Sequence, residues 1–181
     1  MKNILCLTAL LVFFAFPSFA KSGTPINDEM ADKYFANCVD GVKKEGTMSV
    51  EGGNKYCACT AMNMQKSMSQ EDITDLSGTG TPQRAALNKM LLDVNGPCMQ
   101  YPVHDMLFNQ CLKDVKNNAI CTCLATKMGN FMADISKRMM PELLEDNPNL
   151  FDPMTPILES PEFQQRQQQI AVSCATNPNE K

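Results

Sequence analysis

The chain has 181 residues, a formal net charge of −4 and a single histidine, His104. Its acidic and basic residues are interspersed, which argues against nucleic acid or an anionic membrane surface as a partner. One histidine leaves little room for serine or cysteine catalysis, because those mechanisms place a histidine base beside the nucleophile. His104 lies beside Asp105 near a predicted helix start, where we expect a surface or capping role.

Residues 1–20 have the pattern of a secretory signal peptide. Lys2 supplies a positive charge, an apolar run extends from Ile4 to Phe16, and Ser18-Phe19-Ala20 suits cleavage. No later segment approaches the apolar length of a membrane span. We therefore expect cleavage near Ala20, a periplasmic or secreted product and no transmembrane segment in the mature chain.

The cysteines point to an internal duplication. Nine cysteines less Cys6, which lies in the signal peptide, leave eight for the exported chain. They form two sets of the same order, C…C-x-C…C: Cys38, Cys57, Cys59 and Cys98, then Cys111, Cys121, Cys123 and Cys174. FANCVDGVK aligns with FNQCLKDVK, and CACTAMNMQKSM aligns with CTCLATKMGNFM. We expect two helical repeats, at 21–101 and 102–181, packed into one pseudo-symmetric unit.

Helix signals dominate the rest of the chain, so the sequence predicts an all-α, disulfide-stapled bundle. In the first repeat Ser69 to Asp72 has the form of a capping signal, Thr81-Pro82 suits a helix start, and Asn95-Gly96-Pro97 suits a stop. In the second, Ser160-Pro161 opens the last helix. A buried stripe is predicted at alternating intervals of three and four residues: Cys121, Ala125, Met128, Met132, Ile135 and Met139.

An antiparallel hairpin turning at Asn117-Asn118 constrains the disulfides. Cys111 and Cys123 are nearly equidistant from the turn, which favours a bond between them and leaves Cys121 for Cys174. Duplication then pairs Cys38 with Cys59 and Cys57 with Cys98. Exchanging the two members of each C-x-C is nearly as plausible, because a helix start can shift by a residue.

Two features have alternative interpretations. A C-x-C at a helix start can serve thiol-disulfide exchange, but two remote partner cysteines in each repeat favour structural bonds. The chain has 14 methionines, and Met64 and Met68, one helical turn apart, could hold Cu(I). Their counterparts Met128 and Met132 lie on the buried stripe, which favours core packing. We expect no cofactor, with copper as the alternative.

The best candidate for a contact surface is the segment from Pro141 to Pro161. Its five prolines are incompatible with one regular helix, and a long irregular connection usually binds something or packs across the core. The apolar residues predicted to contact an unknown protein or lipid are Leu150, Phe151, Met154, Ile157 and Leu158.

The sequence as a whole predicts a non-enzymatic exported binding module. The binding site is expected on the segment from Pro141 to Pro161 or in the groove between the repeats. A periplasmic Cu(I)-binding protein is the first alternative, and a thiol-disulfide exchange protein is the second.

Overall fold

The protein is all-α, as the sequence predicts. The computed structural model describes residues 23–179, and the predicted signal peptide lies outside them. Within 23–179 the only β contact is an isolated antiparallel bridge between Pro25 and Ser69. None of the helices in this range combines the length and apolar content that a membrane span requires. The α-helices are α1 (Asp28–Glu45), α2 (Val50–Ser67), α3 (Gln70–Leu76), α4 (Gly80–Lys89), α5 (Gln100–Asp114), α6 (Asn118–Asp146), α7 (Met154–Glu159) and α8 (Pro161–Thr176).

Two predicted helix starts are confirmed. The Ser69 hydroxyl accepts from the Asp72 N–H at 3.1 Å, and the Asp72 carboxylate accepts from the Ser69 N–H at 2.7 Å, a complete capping box at the start of α3. At α8 the Ser160 hydroxyl accepts from the Phe163 N–H, with Pro161 in the first helical position.

The predicted stop between α4 and α5 is wrong. Residues Met90–Asn95 continue as a π-helical stretch and Gly96–Cys98 as a 3-10 turn, leading almost directly into α5. Gly96 keeps right-handed helical dihedrals, and its N–H donates to the Leu91 carbonyl. The altered turns bury Leu91, Val94 and Cys98 together, so core packing overrides the local breaker signal of Asn95-Gly96-Pro97.

The long helix α6 contributes more buried residues to the core than any other helix of the described range. All of the predicted stripe is buried except Met139, which is half-buried, and Met140 occupies the buried position instead. The helix also passes through Pro141 and ends at Asp146, and the chain becomes helical again only at Met154, so the proline-rich segment is not one regular helix, as predicted. Proline inside a helix costs about 3 kcal/mol, and we attribute its tolerance here to burial of Met140 and Leu144 on either side.

All eight cysteines within residues 23–179 are paired, but the preferred pairing is wrong and the exchanged alternative is observed. The bonds are Cys38–Cys57, Cys59–Cys98, Cys111–Cys121 and Cys123–Cys174. In each set the first cysteine of the C-x-C closes a helical hairpin and the second reaches a cysteine further along the chain. The predicted turn at Asn117-Asn118 would start the second helix near Ala119, but α6 begins at Asn118, and Cys121 lies opposite Cys111. This shared connectivity is what a duplication would produce; the duplication itself stays a prediction.

Candidate functional site

A concave surface lies between the two disulfide-closed hairpins, α1–α2 and α5–α6. It is a cleft of about 500 Å³, within the size range of small-molecule sites. The start of α2 forms one wall, and α5 and α6 form the other. We call it the inter-hairpin cleft; its lining includes Ser49, Gly52, Lys55, Tyr101, His104, Asp105, Phe108 and Asn130.

Two glycines allow the walls to approach closely. A Cβ on Gly52 would lie 2.1 Å from the Asp105 Oδ2 atom, and a Cβ on Gly129 would lie 2.8 Å from the Gln100 carbonyl oxygen. Both distances are shorter than real Cβ contacts, so a larger residue would force the Asp105 carboxylate or the Gln100 backbone to shift. A glycine inside a helix is the sequence signal that could have indicated these contacts.

Asp105 connects the two hairpins. It is only 6% exposed, and its Oδ2 atom accepts from the Ser49 N–H at 2.8 Å and from the Ser49 hydroxyl at 2.7 Å. Ser49 is the N-cap of α2, and its hydroxyl also accepts from the Gly52 N–H at 3.0 Å. A carboxylate on α5 therefore completes the capping of a helix 56 residues earlier in the chain.

The electrostatics of this contact favour the ionised carboxylate. Burial of Asp105 raises its pKa, but hydrogen bonds from the Ser49 hydroxyl, from His104 and from the Ser49 backbone outweigh burial and leave the pKa below its ordinary value. The positive end of the α2 macrodipole acts in the same direction. Asp105 is thus a charged, fully engaged structural group.

The cleft holds a serine, an aspartate and a histidine in an order that does not suit nucleophilic catalysis. His104 Nδ1 lies 3.1 Å from Asp105 Oδ1, while the Ser49 hydroxyl contacts the opposite oxygen of the same carboxylate. Activation of a serine needs the histidine between the acid and the hydroxyl. Here the aspartate is in the middle, so His104 is not placed to take a proton from Ser49.

The predicted contact residues do not form one surface. Phe151 is 72% exposed, whereas Ile157 is 0% exposed and lies in the main core. Leu150 is half-buried, and its carbonyl accepts from Arg84 Nη2 at 2.8 Å. The Arg84 guanidinium also lies over the Phe151 ring, 5.4 Å from its centroid. The exposed part of the segment is therefore centred on Phe151, next to an arginine that anchors the backbone.

Met154 belongs to a second, more open groove. The groove measures about 540 Å³ and lies between the α1–α2 hairpin and the start of α7. Met154 and Leu158 are half-buried and pack against the main core. These residues serve mainly to cover the bundle, which leaves Phe151 as the predicted contact residue that extends furthest from it.

The sulfur atoms considered for redox or copper chemistry are engaged elsewhere. Met64 and Met68 are buried in a small core cluster with Ile26, Ala31 and Val94. Ala31 belongs to α1 and Val94 to the π-helical stretch, so the two methionines fill the space between α2 and these elements. Among the described residues no cluster of three or more histidine, cysteine or acidic side chains is arranged to hold a metal ion.

Comparisons with protein-family models, curated proteins and solved structures find no match to this chain. The inter-hairpin cleft and the exposed segment around Phe151 are two surfaces available for a ligand or partner.

Proposed function

We propose that this protein is a non-enzymatic exported binding module whose ligand occupies the inter-hairpin cleft. The observation that carries the proposal is the cleft itself, in which side chains from both hairpins converge around a buried, fully hydrogen-bonded Asp105. A concave site with a few oriented polar groups is the usual form of a small-molecule site.

The disulfides support binding over catalysis. They tie each hairpin covalently, so the walls of the cleft are held in position before a ligand arrives, and preorganisation lowers the cost of binding. All eight cysteines of the described chain are bonded, which leaves no thiol for a nucleophile. The Ser49–Asp105–His104 arrangement lacks the order that an activated hydroxyl requires.

The test is a screen of a chemically diverse small-molecule library by ligand-observed NMR. Hits are retested with Thr126→Trp, which places a large ring in the cleft, and with Gln168→Trp, which places the same ring on the exposed surface of α8. Hits are expected to lose binding to Thr126→Trp and to keep it with Gln168→Trp. Equal binding to both variants would place the site elsewhere and defeat the proposal.

A second candidate function is contact with a partner protein or lipid through the segment around Phe151. A large aromatic ring that is 72% exposed and backed by an arginine has the composition of an interface hot spot. Capture of partners and of lipid vesicles is compared for the wild type, Phe151→Asp and the matched control Val172→Asp, an exposed apolar residue on α8. Loss with Phe151→Asp alone is expected; equal capture by all three would remove this candidate.

A further inference from the structure

The charged groups of the inter-hairpin cleft are already paired within the protein. Asp105 accepts hydrogen bonds from Ser49 and lies against His104, and Lys55 Nζ lies 2.6 Å from the Glu51 Oε1 atom. The two carboxylates outnumber the single ammonium group, which disfavours a phosphate or another anion. Each of these charged groups also has a partner within the protein, so none of them needs a charge from the ligand.

Most of the neutral polar side chains of the cleft, unlike the charged ones, are not paired within the described part of the chain. Within residues 23–179 five of them make no side-chain hydrogen bond to another residue: Gln100, Tyr101, Asn109, Thr126 and Asn130. Together they offer amide and hydroxyl groups that both donate and accept. A ligand that replaces water here must carry several uncharged hydrogen-bonding groups, because each group that lost water without a new partner would cost affinity.

Aromatic rings supply the rest of the lining. Tyr101, His104 and Phe108 recur at intervals of three and four residues along α5, which places them on one helical face. The His104 and Phe108 rings are stacked, with centroids 6.0 Å apart and planes inclined by 9°. The faces of phenyl and phenol rings such as those of Phe108 and Tyr101 carry partial negative charge and attract the weakly positive C–H groups of a ligand.

We infer that the inter-hairpin cleft binds a neutral carbohydrate, an inference that rests on the binding function proposed above. A sugar ring presents C–H groups on one face and hydroxyls around its edge, which matches the aromatic face of α5 beside unpartnered amides and hydroxyls. An apolar lipid would leave those amides unsatisfied. A phosphorylated or carboxylated ligand would meet the excess of carboxylates.

The test is a titration of the isotopically labelled exported protein, followed by NMR. The neutral probes are maltose, cellobiose, lactose and N,N′-diacetylchitobiose, each with longer oligomers where they exist. Glucuronic acid and glucosamine serve as charged probes. Saturable shifts of the Asn109 and Asn130 side-chain amide signals are expected with a neutral probe. Binding by the disaccharide alone would indicate a free sugar as ligand, and binding only by longer oligomers would indicate a glycan chain.

Single substitutions test whether the side chains of the cleft bind the saccharide. Asn109→Ala and Asn130→Ala are each expected to weaken binding about tenfold, the effect of one lost hydrogen bond at the upper end of its usual range. The matched control Gln168→Ala removes an exposed amide from α8 and is expected to bind like the wild type. The far-ultraviolet circular dichroism of each variant, unchanged from the wild type, verifies the fold.

Two outcomes would overturn the inference, and they differ in their meaning for the proposed function. If no neutral saccharide perturbs the cleft while another chemical class from the library screen occupies it, the carbohydrate inference fails and the binding function stands. If neither saccharides nor library compounds occupy the cleft, both fail.

Discussion

The α1–α2 and α5–α6 hairpins have the same disulfide connectivity but are packed very differently. Along its 18 residues α1 buries only Ala31, whereas α6 buries ten of its residues, most of them in the main core. The two equivalent disulfides therefore contribute differently to holding their helices together. In the α5–α6 hairpin the disulfide reinforces extensive packing, and in the α1–α2 hairpin it supplements the sparser packing of Ala31, Met30 and Tyr34 against the small core cluster.

The largest expected effect comes from removing one hairpin disulfide at a time. Cys38→Ala/Cys57→Ala is expected to lower the free energy of unfolding by about 3 kcal/mol in the chain-entropy model and to release α1 from α2. Cys111→Ala/Cys121→Ala, which opens a shorter loop of similar entropic value, is expected to leave α5 packed. Hydrogen exchange measured by mass spectrometry distinguishes the two variants.

The proposed difference between the two hairpins would be wrong if both variants gave the same hydrogen-exchange pattern. Fast exchange is expected along Asp28–Glu45 in the first variant, and continued protection along Gln100–Asp114 in the second. Protected α1 amides after loss of Cys38–Cys57 would mean that α1 is held by packing that its exposed surface does not reveal.

The next effect concerns the contact that joins the two hairpins. Gly52→Ala places a methyl group within 2.1 Å of the Asp105 carboxylate, and we expect a loss of about 2 kcal/mol, as for overpacking of a buried site. Gly41→Ala is the matched control, since its Cβ would meet no atom within 4 Å. It should gain about 0.5 to 1 kcal/mol, because alanine is the better helix former. Chemical denaturation measures both, and a neutral Gly52→Ala would contradict the close approach.

A smaller effect follows from the ionisation of Asp105. Asp105→Asn should cost about 1.5 kcal/mol at pH 7, the value of hydrogen bonds to a charged group. Because the pKa of Asp105 is lowered in the folded protein, its contribution is present above the unfolded pKa and is lost as the pH falls through the folded pKa. The difference in unfolding free energy between wild type and Asp105→Asn should therefore shrink below about pH 4. A difference that does not change from pH 7 to pH 3 would show that the carboxylate is not stabilised as described.

The smallest effect concerns Tyr56, which precedes Cys57 just as Ile120 precedes Cys121. Burial raises the pKa of Tyr56 to about 12. The folded state therefore resists ionisation, and the contribution of Tyr56 to stability is lost as the pH rises from the unfolded pKa of about 10 through the folded value. Ultraviolet absorbance should show one late-titrating tyrosine in the wild type that is missing from Tyr56→Phe. Identical titration curves would place Tyr56 on the surface.

Local signals in the sequence predicted much of the fold. The spacing of Cys121, Ala125, Met128 and Met132 identified the buried face of α6, and Ser69 and Ser160 identified two helix starts, because these features depend on neighbouring residues alone. The C-x-C pairing was predicted in the wrong order, since a shift of one residue at the start of α6 changes which cysteine faces Cys111.

The candidate site was harder to predict because it depends on contacts between distant segments. Ser49 and Asp105 are 56 residues apart, and no periodicity joins them. Gly129 falls within a predicted helix, but the sequence does not show what either Gly129 or Gly52 approaches; only the packed structure does. Ile157 was predicted at a contact surface because an apolar residue in a proline-rich connection reads the same whether it faces solvent or the core.

The arrangement of the cleft depends on which cysteine of each C-x-C closes its hairpin, so disulfide mapping of the native, non-reduced protein tests the account most directly. Electron-transfer fragmentation can break the backbone between Cys57 and Cys59 and between Cys121 and Cys123 and so assign each bond. We expect the bonds Cys38–Cys57, Cys59–Cys98, Cys111–Cys121 and Cys123–Cys174. Free thiols at these positions, or Cys111 bonded to Cys123, would contradict it.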